Sequence, residues 1–333
     1  HIPPTAAIIM LAGVYYGAQY GGSTAAILLN LPGTPSSAVT CLDGYPMARK
    51  GRSGLALFVT TIASLVGAMS GLILLVLFSP MIAEVGLKFG PAEFFSMMIL
   101  GLVAASSMSG GSAAKGLAMV VFGILLGMVG TDVNTGVARY SFDIPELMDG
   151  INLVALAMGL FGVAEVVRCI NSTDTEKQPE KITMRSMVPT RQEMKETVKP
   201  MMRGSALGAA LGALPGVGPS IAAFMSYAVE KRVAKDPSRF GQGAIEGISA
   251  PESANNAAAQ TAFVPSLSLG IPGDAVMAVM LGALIIHGIN PGPMLMTEQP
   301  ELFWGLIVSF AIGNIMLVLL NIPLENIVGS VEV

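Results

Sequence analysis

Between Leu55 and Phe78 the sequence reads LALFVTTIASLVGAMSGLILLVLF, 24 residues without a charged side chain. A helix over that run is long enough to cross a hydrocarbon core about 30 Å thick, for which roughly 20 residues suffice. The chain must place this segment in lipid or bury it completely. Composition favours lipid: 53% of the 333 residues are hydrophobic and 12% charged, whereas a soluble domain is about a quarter charged. Further apolar segments fall at 5–20, 91–108, 116–130, 151–168 and 302–322. The 39 glycines and 21 prolines agree, since both residues are commoner in membrane helices than in soluble ones. The fold class expected is an all-α polytopic membrane protein.

Charge placement orients such a chain. Fifteen of the eighteen Lys and Arg residues lie in 49–52, 168–203 and 231–239. Basic loops stay in the cytoplasm, so all three stretches are expected on that side. Crossings at 54–79, 91–108, 116–130 and 151–168 return the chain to the cytoplasm at the long basic stretch, with the acidic loop 131–150 outside. The segment 204–229, GSALGAALGALPGVGPSIAAFMSYAV, has basic stretches on both flanks and is too short for two crossings. Two limbs of 11 to 13 residues reach only about 17–20 Å, so a re-entrant hairpin with its tip at Pro215 and Gly216 is expected. From Phe240 onward there is no Lys or Arg, and the polar, broken passage 249–288 makes one net crossing to an acidic loop outside.

Two stretches break a helix in the same way. LLNLPGTPSSAV (28–39) aligns without gaps on SLGIPGDAVMAV (268–279), matching Leu29/Leu269, Pro32/Pro272, Gly33/Gly273, Ala38/Ala278 and Val39/Val279. The first leads to an inside basic loop and the second to an outside acidic loop, so the copies face opposite ways. That is the pattern of inverted-repeat secondary transporters, whose broken helices form the substrate site near the midplane. Unwound backbone is tolerated at that depth where it lines a cavity or is buried in protein. The half-helix after each Pro-Gly offers free N–H groups and a positive dipole end, which suits an anion and a carboxylate in particular.

The candidate substrate-binding residues are Gly22, Ser23, Thr24, Asn30, Pro32, Gly33, Thr34, Ser36 and Ser37 around the first break. Pro215 and Gly216 join them from the hairpin, and Asn255, Asn256, Pro272 and Gly273 from the second broken passage. Each has a plainer reading: a packing kink for the Pro-Gly pairs, a close-packing face for Gly21–Thr24, and a solvated turn for 252–256. Glu252 and Asp274 are candidate ion-coupling residues, because ionisable groups within a membrane mark function by default. Asp274 has an equal alternative as the cap of the helix beginning at the next residue. With two histidines, His1 and His287, and two cysteines, Cys41 and Cys169, the chain offers no catalytic constellation, metal site or disulfide framework. Sodium, near Asp274, or a proton is the one ligand expected besides substrate, and nucleic acid is not an expected partner.

YYGAQYGGSTAAILLNLPGTPSSAVTCLDGYPMARKGRSG (15–54), GALPGVGPSIAAFMSY, APESANNAAAQTAFVPSLSLGIPG and MLGALIIHGINPGP occur in that order. Together they closely resemble the signature of the large membrane subunit of the tripartite tricarboxylate transporters, over essentially the whole chain. The resemblance implies a multi-pass subunit of the bacterial inner membrane that takes up a tricarboxylate or dicarboxylate by symport. It further implies a small membrane subunit and a periplasmic solute-binding protein as partners, and an ion gradient as the driving force. The absence of a GxxxxGKS/T phosphate loop agrees with that. Asp274 stands where many relatives are expected to carry a small uncharged polar residue, so citrate specificity does not carry over with the resemblance. The family protein is longer at both ends, which makes 1–170 a first repeat lacking its beginning, 171–203 a cytoplasmic polar linker, and 204–333 a second repeat lacking the C-terminal part of the protein. An anion-selective channel, or a carrier for another small organic anion, is the alternative.

Overall fold

The computed structural model describes residues 3–86, 113–132, 135–151, 184–214, 217–270, 272–292 and 295–328, together with 92, 95, 96 and 99. The expected spans at 91–108 and 151–168 fall almost wholly outside these, as do Pro215 and Gly216. Helices dominate. In chain order they are α1 (Pro4–Leu29), a 3-10 turn (Pro35–Ser37), α2 (Ala38–Arg49), α3 (Ser53–Gly86) and α4 (Ala113–Gly127). Short α5 (Pro145–Met148) and α6 (Met184–Met187) precede α7 (Arg191–Gly212), α8 (Gly218–Val233) and α9 (Glu246–Thr261). The chain closes with α10 (Phe263–Leu269), α11 (Ala275–Ile286), α12 (Leu295–Glu298) and α13 (Pro300–Val328). A two-residue β-ladder pairs Gly130 with Arg139 and Thr131 with Ala138 in the acidic loop, fastened by an Asp132–Arg139 ion pair of 3.1 Å.

Two described helices are long and apolar enough to cross a membrane, at Ser53–Leu77 in α3 and Pro300–Leu324 in α13; the apolar part of α4 is shorter, at Ala114–Gly127. α13 exposes Val308, Ile312, Ile315, Met316 and Leu319 along its outer face, as a helix bathed in acyl chains would. Its inner face joins α1, α3, α10 and α11 in the largest core, where Phe263 sits edge-on to Phe310 at 4.8 Å and to Tyr15 at 6.1 Å.

The polar stretch before the expected hairpin is itself helical. α7 starts at Arg191, closed by a reciprocal Thr190–Glu193 cap, and runs unbroken past residue 204. α8 packs against α7, and Arg203 of α7 grips Glu230 of α8 with two bonds, Nε to Oε2 at 2.9 Å and Nη2 to Oε1 at 2.5 Å.

At the centre lies α9, whose residues GISAPESANNAAAQT are buried at every position from Gly247 to Thr261. It is held by backbone proximity rather than by large side chains. A Cβ added to Gly204, Gly208 or Gly212 of α7 would fall within 2.4 Å of the α9 backbone at Ala250, Ala254 and Ala258. On the other side, one added to Gly67 or Gly71 of α3 would meet Ser253 O at 2.1 Å and Ala257 O at 2.6 Å. Small residues spaced by four let helices approach this closely, and van der Waals contact then does the work that side-chain burial does in water. The residues 252–256 are thus the core of a buried helix, which removes the reading of them as a solvated turn.

Candidate functional site between two broken helices

The two Pro-Gly stretches follow the same path. α1 ends in a left-handed residue at Asn30 (φ 55°) and α10 in one at Gly270 (φ 68°), 240 positions apart as in the sequence alignment. Asparagine and glycine are the residues that adopt this conformation most readily. Four residues later each chain is extended at a capping residue, Thr34 (φ −138°) before the 3-10 turn and Asp274 (φ −153°) before α11.

One face of α1 touches both breaks. Tyr15 donates its hydroxyl to Asp274 Oδ2 at 2.8 Å. One turn on, Gln19 Oε1 accepts the Ser36 hydroxyl at 2.7 Å. Gly22 lies against Gly33, where an added Cβ would stand 2.8 Å from the Gly22 Cα, and Gly33 N–H reaches Gly22 O at 3.4 Å. Seven residues of helix span about 10 Å, so the breaks are separated by two turns of α1. α8 also meets both: it packs on the 3-10 turn, and an added Cβ on Gly218 (φ +65°) would stand 3.1 Å from Asp274 Cβ.

The hydroxyls of the first break are buried and already engaged. Thr34 Oγ1 and Ser36 Oγ are 2.9 Å apart, Ser37 Oγ accepts from Thr34 N–H at 3.1 Å, and it donates to Thr34 O at 2.8 Å. They close the turn, and an anion there would have to compete with these bonds. Ser23 is buried and bonds to Tyr20 O at 3.2 Å, while Thr24 is two residues past Gly22 and so lies near the opposite face of α1. Asp274 caps α11 by accepting from Met277 N–H at 2.8 Å. Gly273 packs on Ala262, whose Cβ would be 2.9 Å from a Cβ added to the glycine.

Glu252, Asn255 and Asn256 sit on α9. Asn255 Nδ2 donates to Gln19 O at 3.4 Å, tying α9 to the same helix α1. Asn256 Nδ2 bonds to Ser64 Oγ at 2.9 Å and Glu252 Oε1 at 3.1 Å. Among the described residues no group of three or more His, Cys, Asp or Glu could hold a metal ion. The sequence reading missed Tyr15, Gln19, Thr40, Ser64 and Gly218. Tyr15, Gln19 and Gly22 do recur at helical spacing, which was the available signal. It missed Asp43 as well. This fully buried carboxylate of α2 accepts three backbone N–H bonds at Oδ1, from Gly241 (2.9 Å), Gly243 (2.7 Å) and Ala244 (2.8 Å), and the Tyr227 hydroxyl at Oδ2 (2.9 Å).

Two helices long and apolar enough to cross a membrane, packed with a buried polar helix, are the architecture of a helical membrane protein with a polar interior. The chain belongs to the Tripartite tricarboxylate transporter TctA family, whose model it matches over residues 1–331. The "Uncharacterized 52.8 kDa protein in TAR-I ttuC' 3'region" of Agrobacterium vitis is 50% identical over 321 residues, 96% of this chain and 64% of that protein. A second protein of that organism, the "Uncharacterized protein in TAR-II ttuC' 3'region", is 61% identical over 104 residues, 31% of this chain and 43% of its own length. The chain therefore spans under two thirds of the length of the first relative. No solved structure matches it.

Proposed function

We propose that this chain forms the core of a secondary transporter subunit in the bacterial inner membrane, not an enzyme, and that it takes up a carboxylate driven by a sodium or proton gradient. The carboxylate, of the tricarboxylate or dicarboxylate class, is held between the Pro32-Gly33 and Pro272-Gly273 breaks of two inverted repeats. A periplasmic solute-binding protein delivers it, and a small membrane subunit completes the complex. The observation that carries this reading is the shared backbone path of the two breaks, left-handed at 30 and 270 and extended at 34 and 274, with both on one face of α1. Helix starts are where an anion gains from backbone N–H groups, and here it would displace the bonds that now close the first turn.

The test is counterflow with the full-length protein and its partner subunits in proteoliposomes. Labelled di- or tricarboxylate should accumulate transiently against unlabelled substrate inside. Flux without counterflow would mean an anion channel, and counterflow of other organic anions alone would remove the substrate class.

A further inference from the structure

Glu252 is 1% exposed, in the middle of α9. Its Oε1 accepts the Ser64 hydroxyl of α3 and the Asn256 amide, both at 3.1 Å, and its Oε2 accepts the Thr40 hydroxyl of α2 at 3.2 Å. All three donors are neutral. Several charged and titratable groups on the surrounding helices are engaged elsewhere, and Cys41 of α2 is a buried free thiol that brings no positive charge. On α2, Asp43 is held by the 241–244 backbone and by Tyr227 of α8. On α7, Arg203 is paired with Glu230 of α8. On α1, Tyr16 donates to Asn314 and Tyr20 to Thr61 O.

A carboxylate this deep does not stay ionised without a compensating positive charge. Beside it, Asn255 Oδ1 and Asn256 Oδ1 are buried acceptors with no hydrogen-bond partner among the described residues. A half-turn of the Asn256 amide exchanges its Nδ2 for that unused oxygen, and Thr40, Ser64 and Asn256 then all offer oxygen within about hydrogen-bond distance of the Glu252 carboxyl group. Asp274 is a different case. It is half-buried, and its two oxygens are taken by Met277 N–H and the Tyr15 hydroxyl at a positive helix start.

We infer that the coupling cation, a sodium ion or a proton, resides at Glu252 with Thr40, Ser64 and Asn256, and not at Asp274. The word "coupling" rests on the proposed function; the site itself does not. Its neighbours lead directly to the first break. Thr40 belongs to the half-helix after that break, and Asn255 leads through Gln19 to Ser36 in the 3-10 turn. A cation that draws Thr40 and the Asn255–Asn256 pair toward Glu252 acts on the residues that shape the carboxylate site. Cation and substrate then raise each other's affinity by the same factor.

The experiment compares wild type, Glu252→Gln, Ser64→Ala and Asp274→Asn in the reconstituted full-length complex, with sodium and pH gradients imposed separately. Glu252→Gln should retain substrate exchange yet lose gradient-driven accumulation by at least about fivefold, the low end of usual coupling between sites. Asp274→Asn, beside the proposed carboxylate site, should leave the cation dependence of transport unchanged whatever it does to substrate affinity. Whichever gradient drives wild type and not Glu252→Gln identifies the cation. Ser64→Ala, which keeps the carboxylate, should raise the half-saturating cation concentration, so the site can be judged even if Glu252→Gln fails to fold. Wild-type cation dependence in Glu252→Gln, or unchanged half-saturation in Ser64→Ala, would overturn the inference. If wild type moves no carboxylate, the functional reading fails instead. Sodium binding and proton uptake by the substrate-free complex then decide the site: a one-cation difference from Glu252→Gln upholds it, and no difference removes it.

Discussion

The two Pro-Gly breaks share a backbone and differ in chemistry. At the first, a neutral cap, Thr34, closes the turn on itself with Ser36 and Ser37, and the glycine is pressed against the backbone of α1. At the second, a charged cap, Asp274, reaches out to α1 through Tyr15, and the glycine rests on a side chain, Ala262. One loop is locked into its neighbour by backbone contact. The other is joined to the same neighbour by a single side-chain bond. A repeated fold element can therefore be kept as geometry while its attachment changes.

Substitutions can test that contrast, beginning with the glycines. Gly33→Val drives a Cβ to 2.8 Å from Gly22 Cα, where no side chain can give way, and we expect little folded protein on size-exclusion chromatography. Gly273→Ala meets the Ala262 methyl and should cost about 1–3 kcal/mol, typical of overpacking, read by thermal unfolding. Equal losses from the two would erase the distinction between a backbone lock and a side-chain rest. Because Gly33 is tight without any ligand, lost transport in Gly33→Val does not report substrate contact.

Exchanging the caps sharpens the comparison further. Thr34→Asp buries a carboxylate among neutral groups and should destabilise by roughly several kcal/mol. Asp274→Thr leaves a competent cap and should cost only about 1 kcal/mol or less. A symmetrical outcome in thermal unfolding would mean that the loops are electrostatically alike.

A comparably small effect is expected away from both loops, at the cap of α7. Glu193 is partly desolvated, but bonds from the Thr190 N–H and hydroxyl and from Arg52, at 2.5 Å, hold its carboxyl below the ordinary range. A lowered carboxyl stabilises the fold above its unfolded pKa, and that contribution is lost as pH falls through the folded value. Glu193→Ala should cost about 1 kcal/mol at neutral pH and show no difference from wild type in strong acid.

The positions of the breaks were legible because proline and glycine in an apolar run can do little else. The return of α8 along α7 agrees with the charge on both flanks, and the re-entrant tip expected at Pro215 and Gly216 lies outside the described residues. α9 was not legible. A helix buried on every side has no polar face, so its residues show no period, and its small, polar composition resembles a loop. Nor could the reading see that Gly67, Gly71, Gly204, Gly208 and Gly212 are aimed at one helix, since glycine is abundant throughout. Asp43 was hidden for a related reason: its partners are backbone N–H groups nearly 200 residues away, and backbone leaves no trace in residue type.

Asp43 has a mechanical consequence. Its bonds to three backbone N–H groups and to Tyr227 rivet the middle of α2, the segment leading into α9 and α8 into one block. The near end of α2 begins at the Pro32-Gly33 break, which is held to α1 by Gly33 on Gly22 and by the Ser36–Gln19 bond. α2 is thus pinned at Asp43 and again at its start, where Ser37 bonds Thr34 and Gly33 rests on Gly22, with Thr40 between the two pins. Any strain between the two pins would reach the Glu252 carboxylate through one bond, that of the Thr40 hydroxyl.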